Sequence, residues 1–277
     1  MATVTGESGA WHEIASDIAR RGYAVSSPLD LVPLAAELIE TRPLAIEAHR
    51  AATMKSVQSK SASIASLAAE RGFFRQFFNG FKIRALKAEV ASLFRTDSRY
   101  PVTLDQTIQR IRSLPNSAEL AGAEAELAVI EQLRMLPDSF SVFNDLRLRA
   151  TRHIYFDGAA LQSAQLDHVV LTPSAVYVIE TKHWSRRFVE SGDFHDPFDQ
   201  SKRAGYLCYD LLRQFGKPPV NTIIACVGSL PDAPADSRVK VLRLDGLRGY
   251  ILGLHKDAMP SQRLEQVKRF LELQVHR

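Results

Sequence analysis

Long apolar runs are missing from this 277-residue chain. The longest, ValTyrValIle at 176–179 and IleIleAlaCysVal at 223–227, fall far short of the ~20 consecutive apolar residues that span a bilayer, so no transmembrane segment is expected. The opening MATVTGESGAW has no basic stretch leading into an apolar one, so no secretory signal is expected. Cysteine is scarce. Cys208 and Cys226 are not in metal-ligand spacing and sit in hydrophobic sequence, which reads as buried thiols of a cytoplasmic protein. Repeats are absent, and the Ser/Ala/Lys stretch at 54–69 is the nearest approach to low complexity. What remains, 45% hydrophobic and 24% charged residues, is ordinary for a soluble globular chain and enough for one large domain or two small ones.

Charge is uneven. Residues 1–115 hold 15 Lys+Arg against 11 Asp+Glu, whereas residues 116–277 hold 20 of each. The basic excess marks either a solvated helix face or a surface that meets an anion such as nucleic acid or a membrane. The same 115 residues show no convincing strand pattern. Proline is missing between Pro43 and Pro101, and Ala, Leu, Glu, Lys, Arg and Gln dominate, so an all-helical N-terminal region over 1–115 is expected. Thr103 with Gln106 reads as a capping box that starts a helix.

From Leu114 the character changes. Pro115, Asn116 and Ser117 punctuate the chain, and Asn116 with Glu119 is a capping-box candidate for a helix to about residue 136. Strand-like segments follow at 141–148, 165–171 and 175–184, the last two joined by ThrProSer at 172–174 and so expected to form a hairpin. A helix over about 199–215, strands at 221–227 and 239–244 and a helix over about 261–275 complete a mixed α/β pattern over 116–277.

Chemistry concentrates at the hairpin. Residues i and i+2 of a strand share a face, so Glu180 and Lys182 project together with Thr181 opposite. Asp167 interrupts an apolar run one strand earlier and can lie beside Glu180. Carboxylate oxygens suit Mg²⁺ or Mn²⁺. Such an ion can polarise a phosphoryl oxygen and help make a hydroxide nucleophile, which a neighbouring lysine can hold. The plain alternative is a carboxylate–lysine ion pair at a strand end. On the preceding helix Leu120, Ala123, Leu127 and Ile130 form one stripe with Leu133 at its edge, and Glu126 falls among them while Glu124 and Glu131 fall outside. A carboxylate on a buried face needs a partner or a metal, so Glu126 joins the candidate site.

Three blocks, GlyAlaGluAlaGlu at 122–126, GlnLeuAspHisValVal at 165–170 and ValIleGluThrLys at 178–182, resemble the nuclease-related domain (NERD) proteins, a branch of the PD-(D/E)XK nuclease superfamily. The resemblance covers residues 120–215 and the strands after them, and does not reach 1–115. It implies a restriction-endonuclease-like mixed-sheet core and a Mg²⁺-dependent nuclease acting on DNA. Glu126, Asp167 and Glu180 would be metal ligands, Lys182 the catalytic lysine, and Gln200, after Pro197, a supporting glutamine. Ala125 departs from the family's usual glycine, and residues 151–164 lengthen the first strand–strand connection. The competing expectation is a non-catalytic nucleic-acid-binding or partner-recruiting module that retains the fold.

His168 and His183 alternate away from Glu180 and read as structural. Trp184 shares the Lys182 face, where it can stack on a base or pack in a core, and Arg186 and Arg187 can meet phosphates. Residues 71–95 carry Phe73, Phe74, Phe77, Phe78 and Phe81 at helical spacing, continued by Ile83, Leu86, Val90, Leu93 and Phe94 and flanked by Arg71, Arg75, Lys82, Arg84, Lys87 and Arg95. Such a stripe packs on another helix, on a protein partner or a second copy, or lies on a nucleic acid or membrane.

Overall fold

Runs of Val, Ile, Leu and Phe between turn residues build a sheet, and amphipathic segments between them cover both of its faces. The computed structural model describes residues 1–70, 73–191, 197–230, 238–253 and 257–275. In chain order the elements are β1 (Thr3–Thr5), α1 (Gly9–Arg20), α2 (Leu31–Ala69), α3 (Phe73–Ser113), α4 (Ala118–Arg134), β2 (Ser141–Arg149), β3 (Tyr155–Phe156), β4 (Ala159–Ala160), β5 (Ser163–Leu171), β6 (Val176–Trp184), α5 (Arg186–Ser191), α6 (Pro197–Leu212), β7 (Val220–Gly228), β8 (Val239–Arg243), α7 (Leu244–Gly253) and α8 (Ser261–Glu272). They divide into two units, Met1–Arg20 with Asn116–Arg277, and Arg21–Pro115.

The first unit is α/β, with a mixed six-stranded sheet in the order β1-β2-β5-β6-β7-β8. β2, β5 and β6 are antiparallel neighbours, and β7 and β8 continue parallel to β6. One face buries Phe143, Val169, Val176 and Val178 against Leu207 and Leu212 of α6 and Val267 and Leu271 of α8. The other buries Val142, Val170, Tyr177 and Ile179 against Val129 and Leu133 of α4 and Leu247 and Ile251 of α7. The small pair β3–β4 lies inside the long connection at 151–164. α4 is capped one residue later than expected: the Ser117 hydroxyl, not Asn116, accepts from the Leu120 N–H. Both cysteines are free and buried, and burial pushes the Cys208 thiol up to about 12.

The N-terminal twenty residues depart from the all-helical expectation. β1 pairs parallel with β2 through Thr3 to Ser141, Val4 to Val142 and Thr5 to Phe143, and α1 packs on α4 with Trp11, Ile14 and Ile18 buried. Three residues are too few to show a period of two, so the strand leaves no pattern to read. Gly6, at φ +85°, follows it where an added Cβ would stand 2.6 Å from the Asn144 carbonyl oxygen.

The second unit is a helical hairpin of α2 and α3, which pack along each other. Between Ile83 and Tyr100 the residues of α3 that are not exposed are Ile83, Leu86, Val90, Leu93, Asp97 and Tyr100. Their three–four spacing is that of a coiled-coil seam. The apolar stripe of residues 71–95 is therefore spent within the chain over Ile83 to Leu93. Arg71 and the side chains of Phe73, Phe74, Arg75 and Phe77 lie outside the described residues, as does that of Arg187. Thr103 does not start a helix. α3 runs through Pro101, and the Thr103 hydroxyl donates back to the Arg99 carbonyl.

Candidate functional site

β5 and β6 pair from Leu171–Val176 to His168–Ile179. Beyond that point β5 continues along β2 and β6 continues along β7. Asp167 and Glu180, next in each strand, face one another where the ladder opens. The Asp167 carboxylate fills the opening by accepting the Thr181 N–H at 2.7 Å. Lys182 donates to Glu180 at 2.6 Å, which shows the two on one face of β6. His168 and Thr181 take the opposite face. The buried imidazole donates from Nδ1 to Asn144 (2.9 Å) and accepts at Nε2 from the Thr181 hydroxyl (3.0 Å). Burial lowers its pKa to about 3 and keeps it neutral.

Glu126 of α4 is held by the start of α1 and feels the cluster through charge. Its Oε2 accepts from the Ser8 hydroxyl at 2.7 Å and the Ala10 N–H at 3.3 Å. The same Ser8 oxygen accepts the Trp11 N–H at 3.0 Å. Ser8 thus caps α1, and Glu126 lies at the positive end of that helix. Burial raises the Glu126 pKa. The Ser8 and Ala10 bonds oppose this, and the charges of Asp145 and Glu180 add to it. Asp167 is raised well above the ordinary carboxylate value by burial and by the charges of Glu180 and Glu126, with Thr181 and Lys182 opposing. Charge repulsion among the half-buried Glu126 and Asp167 and the buried Glu180, with Lys182 opposing it at Asp167, puts the three acids in one electrostatic neighbourhood.

Asp145 of β2 is a further acid there that sequence reasoning missed. It is 8% exposed, and Gln165 donates to it at 2.7 Å. Its φ is +48°, and the strand changes phase around it: Phe143 and Leu146, three residues apart, bury on the same face. The one signal for it was a charge within ValPheAsnAspLeu. Ser8 carried a weak signal as a small hydroxyl residue just before a helix.

Other candidates stand apart. Gln200 is exposed in the first turn of α6 and, among the described residues, makes no hydrogen bond to the cluster. Trp184 is buried with Phe198, Ile224, Cys226 and Val239, so its ring belongs to a core. His183 is exposed, and Arg186 pairs with Glu190 at 2.8 Å.

A family model for the nuclease-related domain matches residues 121–227. Over these residues the chain is similar to the nuclease-related domain. The match runs from α4 to β7 and contains Glu126, Asp167, Glu180, Lys182 and Gln200; Ser8, α1 and the helical hairpin lie outside it. No curated protein matches the chain.

The donor chemistry of this site suits a hard divalent ion. Among the described residues no group of three or more His, Cys, Asp or Glu side chains stands close enough to hold a metal ion together. Mg²⁺ does not require one, because it keeps several waters and commonly takes one or two carboxylates. Asp167 and Glu180 are a fitting pair, since a cation between them would offset the repulsion that raises Asp167.

Proposed function

We propose that the chain is a metal-dependent nuclease that hydrolyses phosphodiester bonds in DNA, built on a PD-(D/E)XK-type core. The observation that carries this reading is the meeting of Asp167, Glu180 and Lys182 where β5 and β6 part, within the residues similar to the nuclease-related domain. Asp167 and Glu180 would hold Mg²⁺ or Mn²⁺, with Glu126 supporting from α4. When bound, the ion supplies charge at a phosphoryl oxygen and lowers the pKa of water.

The protein's own groups do the rest. The Lys182 ammonium, anchored by Glu180, holds the attacking water and favours its deprotonated form. The water oxygen gives up a proton to solvent and forms a bond to phosphorus as the ester P–O bond breaks, and the leaving oxygen takes a proton from solvent. Ser8 and the α1 N-terminus hold Glu126 in place. Gln200 would support substrate from the first turn of α6. The domain takes in Met1–Arg20 as well as residues 116–277.

A second reading, a non-catalytic nucleic-acid-binding module of the same fold, is favoured by the closed Lys182–Glu180 pair, which satisfies both groups without a metal. Incubation with single-stranded, duplex and branched DNA in Mg²⁺ or Mn²⁺ separates the two. The nuclease reading expects cleavage that Asp167→Ala abolishes. Binding to DNA without cleavage of any form favours the module.

A further inference from the structure

We infer that the outer face of α3 is a nucleic-acid-backbone track. This goes beyond the candidate site and holds whether or not that site cuts. Residues 21–115, the helical hairpin unit, carry 14 Lys+Arg and 8 Asp+Glu, a net +6, whereas the other unit carries 21 and 23. The whole positive excess of the protein therefore belongs to the hairpin.

Within the hairpin the charges are sorted by face. α3 has three acids, Glu89, Asp97 and Asp105. Two of them pair with a cation of α2, and the third stands beside a histidine of that helix. Lys60 pairs with Glu89, the His49 ring stands 3.9 Å from Asp97, and Arg42 donates to Asp105 at 2.8 Å. The α3 cations Arg84, Lys87, Arg95 and Arg99 are exposed. They make no ion pair among the described residues.

At about 100° per residue, Arg84, Arg95 and Arg99 fall within roughly 60° of one another, with Lys87 at the flank. They lie opposite the seam of Ile83, Leu86, Val90 and Leu93. At 1.5 Å per residue this row is ~22 Å long, a span that meets several successive phosphates at ~3.4 Å per nucleotide of one strand. Arginine matches phosphate oxygens in a bidentate fork.

A membrane fits this face less well. An interfacial helix buries a broad apolar face in the bilayer, and that face of α3 is already packed on α2. Between the arginines stand the small residues Ala88, Ala91 and Ser98. The exposed Phe81 and Val102 sit only at the two ends, and Phe94 lies off to the flank beside Lys87.

Fluorescence anisotropy of the full chain with labelled DNA, in EDTA across a salt series, tests the track. Arg84→Gln/Arg95→Gln/Arg99→Gln should weaken binding at least about tenfold at ~0.1 M salt and lower the slope of log K against log salt by roughly 2.7, since each phosphate contact contributes ~0.9. Arg84→Lys/Arg95→Lys/Arg99→Lys keeps the charges and should keep most of the slope. The track is overturned if the unsubstituted protein binds no DNA, if the Gln variant keeps its affinity and slope, or if that variant loses binding to phosphatidylserine vesicles but not to DNA. Loss of cleavage in the unsubstituted protein with binding intact sinks the nuclease reading alone.

Discussion

Replacing Asp167 with Asn should stabilise the protein when no divalent ion is present. The folded chain holds this carboxylate buried, beside Glu180 and Glu126, with its pKa raised well above the ordinary value. An acid whose pKa is raised by folding costs nothing below its unfolded value near ~3.9 and costs more as pH rises through the folded value. Each tenfold increase in proton affinity corresponds to about 1.4 kcal/mol of such cost. Asn keeps an oxygen to accept the Thr181 N–H, now found at 2.7 Å from Asp167; changing that bond from charged to neutral loses about 1 kcal/mol. The balance favours Asn at pH 8, and each ~1 kcal/mol of gain is worth roughly 2–4 °C in Tm. Thermal melts in EDTA at pH 8 and pH 5 measure it, and the gain should shrink as pH falls, because the raised carboxyl of the folded chain binds its proton before that of the unfolded chain does. Mg²⁺ should then raise the Tm of the unsubstituted protein and leave that of the variant nearly unmoved. An Asn variant less stable at pH 8 than at pH 5, relative to the unsubstituted protein, would refute the electrostatic reasoning.

Ser8→Ala should cost about 1 kcal/mol as a lost helix cap, and should also weaken Mn²⁺ binding measured by calorimetry, because the Ser8 donor holds Glu126; an unchanged Mn²⁺ affinity would limit Ser8 to capping. His168→Gln should flatten the loss of stability on acidification. His168 is held neutral with its pKa lowered to about 3, so its contribution is present above about pH 6.5 and falls as pH drops toward 3. Equal urea midpoints against pH for both proteins would contradict that. Lys182→Ala should abolish cleavage and leave DNA affinity nearly unchanged, because one cation among several phosphate contacts contributes a fraction of the binding; circular dichroism must show the fold intact.

The parts of this fold that repeat locally were legible. Alternation and a short ThrProSer connection marked the β5–β6 hairpin, and the same alternation put Glu180 and Lys182 together and turned His168 away. The stripe on α4 placed Glu126 on its inner side. What escaped depends on contacts distant in sequence or on backbone that breaks a period. β1 has only three residues and finds its partner 138 residues on. Ser8 meets Glu126 across 118 residues. Asp145 sits where a left-handed φ shifts the strand phase, so counting by twos from Val142 misassigns every residue after it. Thr103 followed by Gln106 looked like a helix start because the pair has capping-box spacing. The seam with α2 carries the helix through Pro101 instead, tertiary packing overriding a local preference.

The central claim is that Asp167, Glu180 and Lys182 form a metal-dependent phosphodiesterase site. Its most direct test follows a labelled duplex, single strand and branched DNA with the full chain in Mg²⁺, in Mn²⁺ and in EDTA, beside Asp167→Ala. The account predicts products of at least one substrate with the divalent ion, none in EDTA and none from the variant. Equal cleavage by Asp167→Ala, or no cleavage of any substrate by a folded, DNA-binding protein, would contradict it.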